Sequence, residues 1–251
     1  MKCLTRKKIV LVIVEGVSDD TALGIALANF YDKDTVYIQI MHGDITTKRG
    51  NSPQNIVSKV GNVISQFAKS NHYTARDFKQ IIHIVDTDGV YIPDDKVIKD
   101  LECQGILYET DGIHTTDTQG VINRNKQKRD NLYRLRSCTN IWRVPYRVYY
   151  MSCNLDHVLH DKRNSTEKEK ENDAYAFAKK YKDNPEGFVE FLCESEFSVK
   201  EEFKASWEYI EKEMNSIERY TNLCICLEEE NKIKDVTVHT YGANSNGIQP
   251  I

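Results

Sequence analysis

Two short acidic segments contain the residue types that could bind a metal ion. The first is Glu15-Gly16-Val17-Ser18-Asp19-Asp20, and the second is Asp86-Thr87-Asp88-Gly89. Mg²⁺ prefers oxygen ligands and keeps several waters, which the phosphate of a substrate can replace. Glycine allows the backbone to turn sharply beside a ligand. Either segment alone is a weak signal, because aspartate and glycine are also common in ordinary turns.

The elements before these segments predict that the acids meet. Apolar runs of strand length, Lys8–Val14 (KIVLVIV) and Gln80–Val85 (QIIHIV), lead directly into them. Such continuous runs are typical of strands that are covered on both faces of a parallel sheet. Ligands of these sheets bind beyond the carboxyl ends of the strands. Because clustered carboxylates oppose one another's ionisation, we expect a cation among four of them: Glu15, Asp19, Asp86 and Asp88.

The remaining sequence predicts an α/β fold with a parallel sheet, helices on both faces and an α-helical C-terminal region. The β-α-β-α-β order implies right-handed crossovers. Further strands are expected at Val36–Ile40 and Tyr146–Met151, and helices after Ser18 or Asp19, from Ser52-Pro53, and at Asp94–Leu101, Gly120–Arg136 and Asn154–His160. Charged amphipathic helices are expected at 165–182, 185–194 and 199–218, a strand or a buried helix end at Leu223–Leu227, and a mobile tail at Tyr241–Ile251. We place a first domain at 1–162 and the helical region at 163–251.

The ordered pattern of an apolar strand, E-G-x-x-D, a helix, a strand, and a strand ending in D-x-D-G resembles the TOPRIM domain. This domain occurs in topoisomerases, primases, a ribosomal-RNA maturation ribonuclease and OLD-type nucleases, and the resemblance covers about residues 7–160. It implies a Rossmann-like fold in which Glu15 is a metal ligand or general acid/base and Asp86 and Asp88 hold Mg²⁺, for which Mn²⁺ can substitute. Asp19 matches the second acid of the first motif in the nuclease branch, and Asp20 is its alternative.

A second segment, Cys153–Leu159 (CNLDHVL), is similar to one in RloB-like and related TOPRIM effectors of bacterial phage defence, including the PARIS system. The family often has glutamate where this chain has Asp156, which makes Asp156 a candidate auxiliary metal ligand or a helix N-terminal acid. His157 and His160 have a spacing compatible with a shared zinc, although two polar histidines on one helix face fit better. Asp44 is a candidate to support the site or a turn residue.

A basic segment between Arg124 and Arg147 could follow a phosphate backbone, or it could be a solvated helix face. The net charge of −4 argues against binding of nucleic acid by bulk electrostatics alone. Five side chains are candidates for contact with substrate phosphates: Arg124, Lys126, Lys128, Arg129 and Lys162.

The seven cysteines include no C-x-x-C pair, and the nearest spacing is Cys224-x-Cys226. This pattern fits neither a zinc ribbon nor a disulfide framework, so we expect reduced thiols in a cytoplasmic protein. The apolar run before Glu15 is too short to span a bilayer, and no membrane association is expected.

By resemblance, the expected function is a Mg²⁺-dependent endonuclease that cleaves RNA, including tRNA, or DNA, as an effector of anti-phage defence. The chain has no G-x-x-x-x-G-K-[ST] loop. Similar TOPRIM effectors of defence systems often act with an ATPase that is a separate chain, so the resemblance implies a possible ATPase subunit as a partner. A homodimer is left open. The alternatives are a TOPRIM ribonuclease of RNA maturation and a non-catalytic interaction subunit of a defence complex.

Overall fold

Eight strands lie within residues 7–31 and 36–242, which the computed structural model describes. They are β1 (Lys8–Val14), β2 (Val36–His42), β3 (Phe78–Asp86), β4 (Val97–Lys99), β5 (Ile106–Glu109), β6 (Gly112–Thr115), β7 (Asn140–Ile141) and β8 (Val144–Met151). Five of them form the main sheet in the order β2-β1-β3-β8-β7. All pairs are parallel except β7 with β8, so the sheet is mixed but mostly parallel.

Helices flank this sheet, and further helices follow its last strand in the sequence. They are α1 (Val17–Phe30), α2 (Ile56–Ser70), α3 (Thr118–Arg136), α4 (Leu155–His160), α5 (Glu167–Tyr181), α6 (Pro185–Cys193), α7 (Phe203–Ile210) and α8 (Leu223–Gly242). The predicted α/β class and the helical C-terminal region are confirmed. Among the residues described, no helix combines the length and the apolar character that a bilayer crossing requires.

The alternation of side chains along each strand separates two hydrophobic cores. In β1, Val10, Val12 and Val14 face one core with α1, α4, α5, α6 and the start of α8. The intervening Ile9, Leu11 and Ile13 face the other core with α2, α3 and α7. The helices after residue 162 therefore pack on both faces of the main sheet, while the predicted division of the chain at that residue stays a prediction.

The predicted helix at Asp94–Leu101 is wrong. A 3₁₀ turn at Asp94–Lys96 leads into β4, which joins a small sheet of order β4-β6-β5. The β-branched pair Val97-Ile98 favours a strand. Gly112 at the start of β6 lies so close to the carbonyl of Lys96 that any Cβ there would clash. The absence of a side chain at this position therefore allows β4 to pair with β6.

Three other boundaries differ from the predictions. α2 begins at Ile56 rather than at Ser52. The backbone N–H of Ser52 donates to the side-chain oxygen of Asn55 at 2.9 Å. Only Phe203–Ile210 of the predicted 199–218 helix is α-helical. Leu223–Leu227 is the buried N-terminal end of the long helix α8, so of the two alternatives the strand is wrong and the buried helix end is confirmed. Of the predicted mobile tail at Tyr241–Ile251, Tyr241 and Gly242 end α8, and the remainder lies outside the described residues.

The segment at 211–222 fixes the loop that follows β3. Thr87 is fully buried in this loop, and its hydroxyl donates to the carbonyl of Ser216 at 2.7 Å and accepts from the backbone N–H of Cys153 at 2.8 Å. The backbone N–H of Tyr91 donates to the Ser216 hydroxyl at 3.1 Å. The C-terminal region thus holds the residue that lies between Asp86 and Asp88.

Replacing Thr87 with valine should lower the free energy of unfolding by about 1–3 kcal/mol, because two buried hydrogen bonds of the Thr87 hydroxyl are lost while the side-chain volume is kept, and the Ser216 carbonyl keeps only the backbone N–H of Cys153 as a donor. Urea denaturation measures the change. Thr116→Val, at an exposed position, is the matched control and should change stability by less than about 0.5 kcal/mol. Equal stability of the two variants would contradict the proposed support of the loop.

Candidate metal centre

One buried ammonium group joins the two acidic segments. Nζ of Lys128 lies 3.1 Å from Oε1 of Glu15 and 2.5 Å from Oδ2 of Asp88. The Lys128 side chain has no exposed surface, whereas Glu15 and Asp88 retain 12% and 22% exposure of their side chains. Lysine is almost never fully buried without a charged partner. The two carboxylates are therefore the reason that this lysine can be buried.

The main sheet brings these acids together. Glu15 directly follows β1, Asp86 is the last residue of β3, and the two strands are adjacent and parallel. Residues Asp88 and Gly89 both adopt left-handed backbone conformations, with φ of 49° and 64°. Aspartate is one of the few non-glycine residues that tolerate this region. The resulting turn directs the Asp88 carboxylate to Lys128.

Helix α3 supports a second loop beside Glu15. The side-chain amide of Asn131 donates to the carbonyl of Thr46 at 2.8 Å. The hydroxyl of Thr46 lies 3.4 Å from Oε1 of Glu15 and 3.0 Å from Oδ1 of Asp44. Although burial opposes the change, Lys128 and the Thr47 contacts lower the pKa of Asp44. Asp44 therefore lies at the edge of the centre, next to Thr46 and within the electrostatic influence of Lys128.

Arg124 fixes the outer side of the same turn. Its guanidinium donates to the backbone carbonyl of Asp88 at 2.9 Å and to the hydroxyl of Tyr108 at 3.2 Å. The Tyr108 hydroxyl in turn donates to Oδ1 of Asp88 at 3.4 Å. Tyr108 comes from β5 of the small sheet, so this insertion contributes to the position of the Asp88 carboxylate.

The other predicted metal ligands line a cavity of about 560 Å³ on the α1 side of the sheet edge. Glu15, Asp19, Asp86 and Asp156 all border it, together with Lys170 from α5. Asp19 also accepts a hydrogen bond from the backbone N–H of Gly16 at 2.8 Å, at the start of α1. The structure therefore brings all five predicted ligands to one edge, with Asp88 on the α3 side and Glu15 facing both groups.

Burial and mutual repulsion oppose the ionisation of the acids at this edge, and Lys128 offsets only part of this effect. Burial is the largest cause that raises the pKa of Glu15 to about 8, and Asp88 and Asp44 act in the same direction. Burial, then Glu15 and Asp19, raise the pKa of Asp86 well above its usual range. Burial opposes the charged form of Lys128 too, but Asp88 and Glu15 raise its pKa, so the ammonium stays protonated.

The cavity acids show the same effect. Burial raises the pKa of Asp19, against the hydrogen bond from Gly16. Burial also raises the pKa of Asp156 to about 6, with Lys170 opposing the shift. Carboxylates that are hard to ionise together become easy to ionise when a cation enters. A divalent ion at this site would therefore favour the ionised form of these carboxyl groups.

The donor set fits Mg²⁺ in chemistry and in charge, since every candidate ligand is a carboxylate oxygen. The ligand atoms are nevertheless more widely spaced than in a closed metal site. Within residues 7–31 and 36–233, only Cys193, Cys224 and Glu228 form a group of three such side chains with all ligand atoms within 4.8 Å of one another. Lys128 occupies the space between Glu15 and Asp88.

The five residues predicted to contact phosphates differ in their surroundings. Lys126 is exposed, whereas Arg124 and Lys128 point into the centre. Arg129 lies 3.9 Å from Asp94, and Lys162 lies 2.5 Å from Asp173. Contact with phosphate stays a prediction for all five, and four of them have partners within the protein.

His157 and His160 have separate surroundings. Nε2 of His157 lies 3.6 Å from Oδ1 of Asp161, and the ring of His160 packs edge-on against Phe177 with centroids 5.8 Å apart. Burial lowers the pKa of His157 to about 4. The preferred interpretation, two polar histidines on one helix face, stays a prediction, and His157 is buried on that helix. Asp20, the alternative to Asp19, borders a different pocket, between α1, β2 and α5.

The place of Lys128 at the centre was detectable in the sequence. It lies on the same face of α3 as the buried Val121, Asn125, Leu132 and Leu135. These positions recur every three or four residues, which is the period of a buried helix face. A lysine within such a face needs an acidic partner, and the two acidic segments supply it.

Comparison of the chain with protein-family models, with curated proteins and with solved structures gives no significant match. A functional proposal therefore rests on the geometry of the centre and on the resemblance of its motifs.

Proposed function

We propose that this chain is a Mg²⁺-dependent nuclease of the TOPRIM type, which hydrolyses phosphodiester bonds in RNA or DNA. One observation carries the proposal: the acids that end two adjacent parallel strands, Glu15 and the Asp86/Asp88 pair, converge at the edge where parallel sheets bind ligands. The raised pKa values of Glu15 and Asp86 support a cation at that edge.

In this proposal, Glu15, Asp86, Asp88 and Asp19 would hold Mg²⁺, and Asp156 would be an auxiliary ligand. When bound, the ion would supply Lewis-acid activation of a water and stabilise charge on the phosphate. Asp19 stays oriented by the N–H of Gly16, and Thr87 fixes the spacing of Asp86 and Asp88.

Lys128 would act as a fixed positive charge beside the reacting groups. Its three ammonium donors orient the carboxylates of Glu15 and Asp88, and its burial in the protein excludes water from this side. A compact ammonium of this kind also stabilises negative charge on a neighbouring phosphate oxygen.

A basic cleft next to the centre supports a polyanionic substrate. Lys48, Arg49 and Lys59 border a cavity of about 460 Å³ that also includes Asp44. Positive side chains that lead to a metal centre are typical of proteins that position a phosphate backbone. The loop that carries Lys48 is joined to α3, because the side-chain amide of Gln127 donates to the carbonyl of Lys48 at 3.3 Å.

Two finer parts of the proposal come from the resemblance alone. They are the role as an anti-phage effector and a separate ATPase subunit. The competing function is a non-catalytic interaction subunit in which the acids hold a structural ion. Incubation with pools of RNA and DNA and with Mg²⁺ or Mn²⁺ separates the two, because cleavage supports the nuclease and binding without cleavage supports the interaction subunit.

The substitutions Glu15→Gln and Asp86→Asn should each lower Mg²⁺-dependent cleavage by about 100-fold or more, since each removes a metal ligand. Gel assays with labelled RNA and DNA measure the rate, and circular dichroism verifies the fold. Glu167→Gln, at an 89% exposed side chain on the rim of the same cavity, is the control that should retain activity. Full, metal-independent cleavage by the Glu15 and Asp86 variants would refute the nuclease centre.

The substitution Lys128→Met should lower the free energy of unfolding without Mg²⁺ by about 3 kcal/mol, because two partly buried carboxylates lose their partner. Added Mg²⁺ should restore more stability to this variant than it adds to the unmodified protein, since it then supplies the missing positive charge. Denaturant titrations with and without Mg²⁺ measure both effects.

Lys126→Met is the matched control, because Lys126 is exposed on the same helix two residues earlier. Its stability and its response to Mg²⁺ should match those of the unmodified protein. An identical response to Mg²⁺ in the Lys128 variant would show that the ammonium and the ion do not share a site.

A further inference from the structure

Two cysteines and a glutamate form a compact group between α6 and α8. Cys193 is the last residue of α6, and Cys224 and Glu228 lie one turn apart in α8. Their ligand atoms all lie within 4.8 Å of one another. Cys193 and Cys224 are 3% and 0% exposed, and Glu228 is partly exposed.

The separations agree with ligands that share one ion. Sγ of Cys224 lies 3.4 Å from Oε1 of Glu228. A tetrahedral zinc with bonds of about 2.3 Å to sulfur and about 2.1 Å to oxygen places these two ligand atoms about 3.6 Å apart. Two sulfurs bound to the same zinc would be about 3.8 Å apart. The two cysteine sulfurs lie within 4.8 Å of each other, which is compatible with that separation.

A fourth donor, the hydroxyl oxygen of a serine, lies beside the group. The hydroxyl of Ser198 adjoins the thiol of Cys224. This oxygen is buried, and its polar contact is with that thiol. A cation bound to Cys224 would therefore lie within reach of the hydroxyl, directly or through a water.

We infer that Cys193, Cys224 and Glu228 bind one zinc-class divalent cation, with the fourth position open to the Ser198 hydroxyl or to a water. Thiolate sulfur with one carboxylate is a soft-to-borderline ligand set that zinc accepts and magnesium does not. The site is therefore distinct in chemistry from the carboxylate centre at the sheet edge, and it stands independently of the proposed nuclease activity.

The ion would join α6 to the first turns of α8. The start of α8 directly follows the segment at 211–222, which binds the loop containing Thr87. Ser198 and Thr221 also form a β-bridge at this junction. The expected role of the site is thus structural: it fixes the C-terminal helix against the region that supports the candidate centre.

Cobalt titration of the full chain, kept reduced by a phosphine, tests the inference, because Co²⁺ bound to thiolates absorbs by sulfur-to-metal charge transfer. We expect this absorption to saturate at one equivalent of Co²⁺ and to be displaced by zinc. Zinc should also raise the thermal midpoint of the unmodified protein.

Cys193→Ser and Cys224→Ser should abolish the charge-transfer band, and Glu228→Gln should weaken Co²⁺ binding about 10–100-fold. Cys226→Ser is the matched control, because its thiol lies in the same helix but faces the hydroxyl of Tyr31 at 4.0 Å. The control and Glu15→Gln should both keep the band.

Absence of the band in the reduced, unmodified protein would overturn the inference, as would its persistence in the Cys193 and Cys224 variants. If Cys224→Ser does not fold, the comparison of Cys193→Ser with the unmodified protein decides. A zinc-induced rise in the thermal midpoint of the same size in Cys193→Ser and in the unmodified protein would also overturn it.

Discussion

The contact of one buried ammonium with two carboxylates organises the candidate centre. Lys128 lies inside the protein because Glu15 and Asp88 surround it, and these acids stay close together because the ammonium lies between them. A buried ion pair of this kind is weak evidence for stability, since desolvation offsets much of its Coulombic gain. Its value lies in fixing the directions of side chains from β1, from the loop after β3 and from α3.

The surrounding structure supports this contact from three sides. Asn131 holds the loop with Asp44 and Thr46, and Arg124 and Tyr108 hold the backbone and side chain of Asp88. The carbonyl of Ser216, in the C-terminal region, accepts a hydrogen bond from the Thr87 hydroxyl. The helical region and the small sheet are therefore part of the framework of the centre, although the acids themselves come from the strand ends.

The main strands and the meeting of the acids were predictable from sequence, because buried parallel strands give continuous apolar runs and their carboxyl ends share one edge. The small sheet was not predicted, since its strands of three or four residues carry little periodic signal and depend on the close approach at Gly112. The end of α7 at Ile210 was missed because the following residues bind the loop after β3. The group of Cys193, Cys224 and Glu228 joins positions that are about thirty residues apart, and no local spacing reveals it.

Anomalous scattering from a crystal soaked in Mn²⁺ would show whether a divalent ion binds to the carboxylates of Glu15 and the Asp86/Asp88 pair. We expect a peak in contact with carboxylate oxygens of Glu15 and at least one of the two aspartates. No peak at this edge under saturating Mn²⁺, with Lys128 still bridging Glu15 and Asp88, would contradict it.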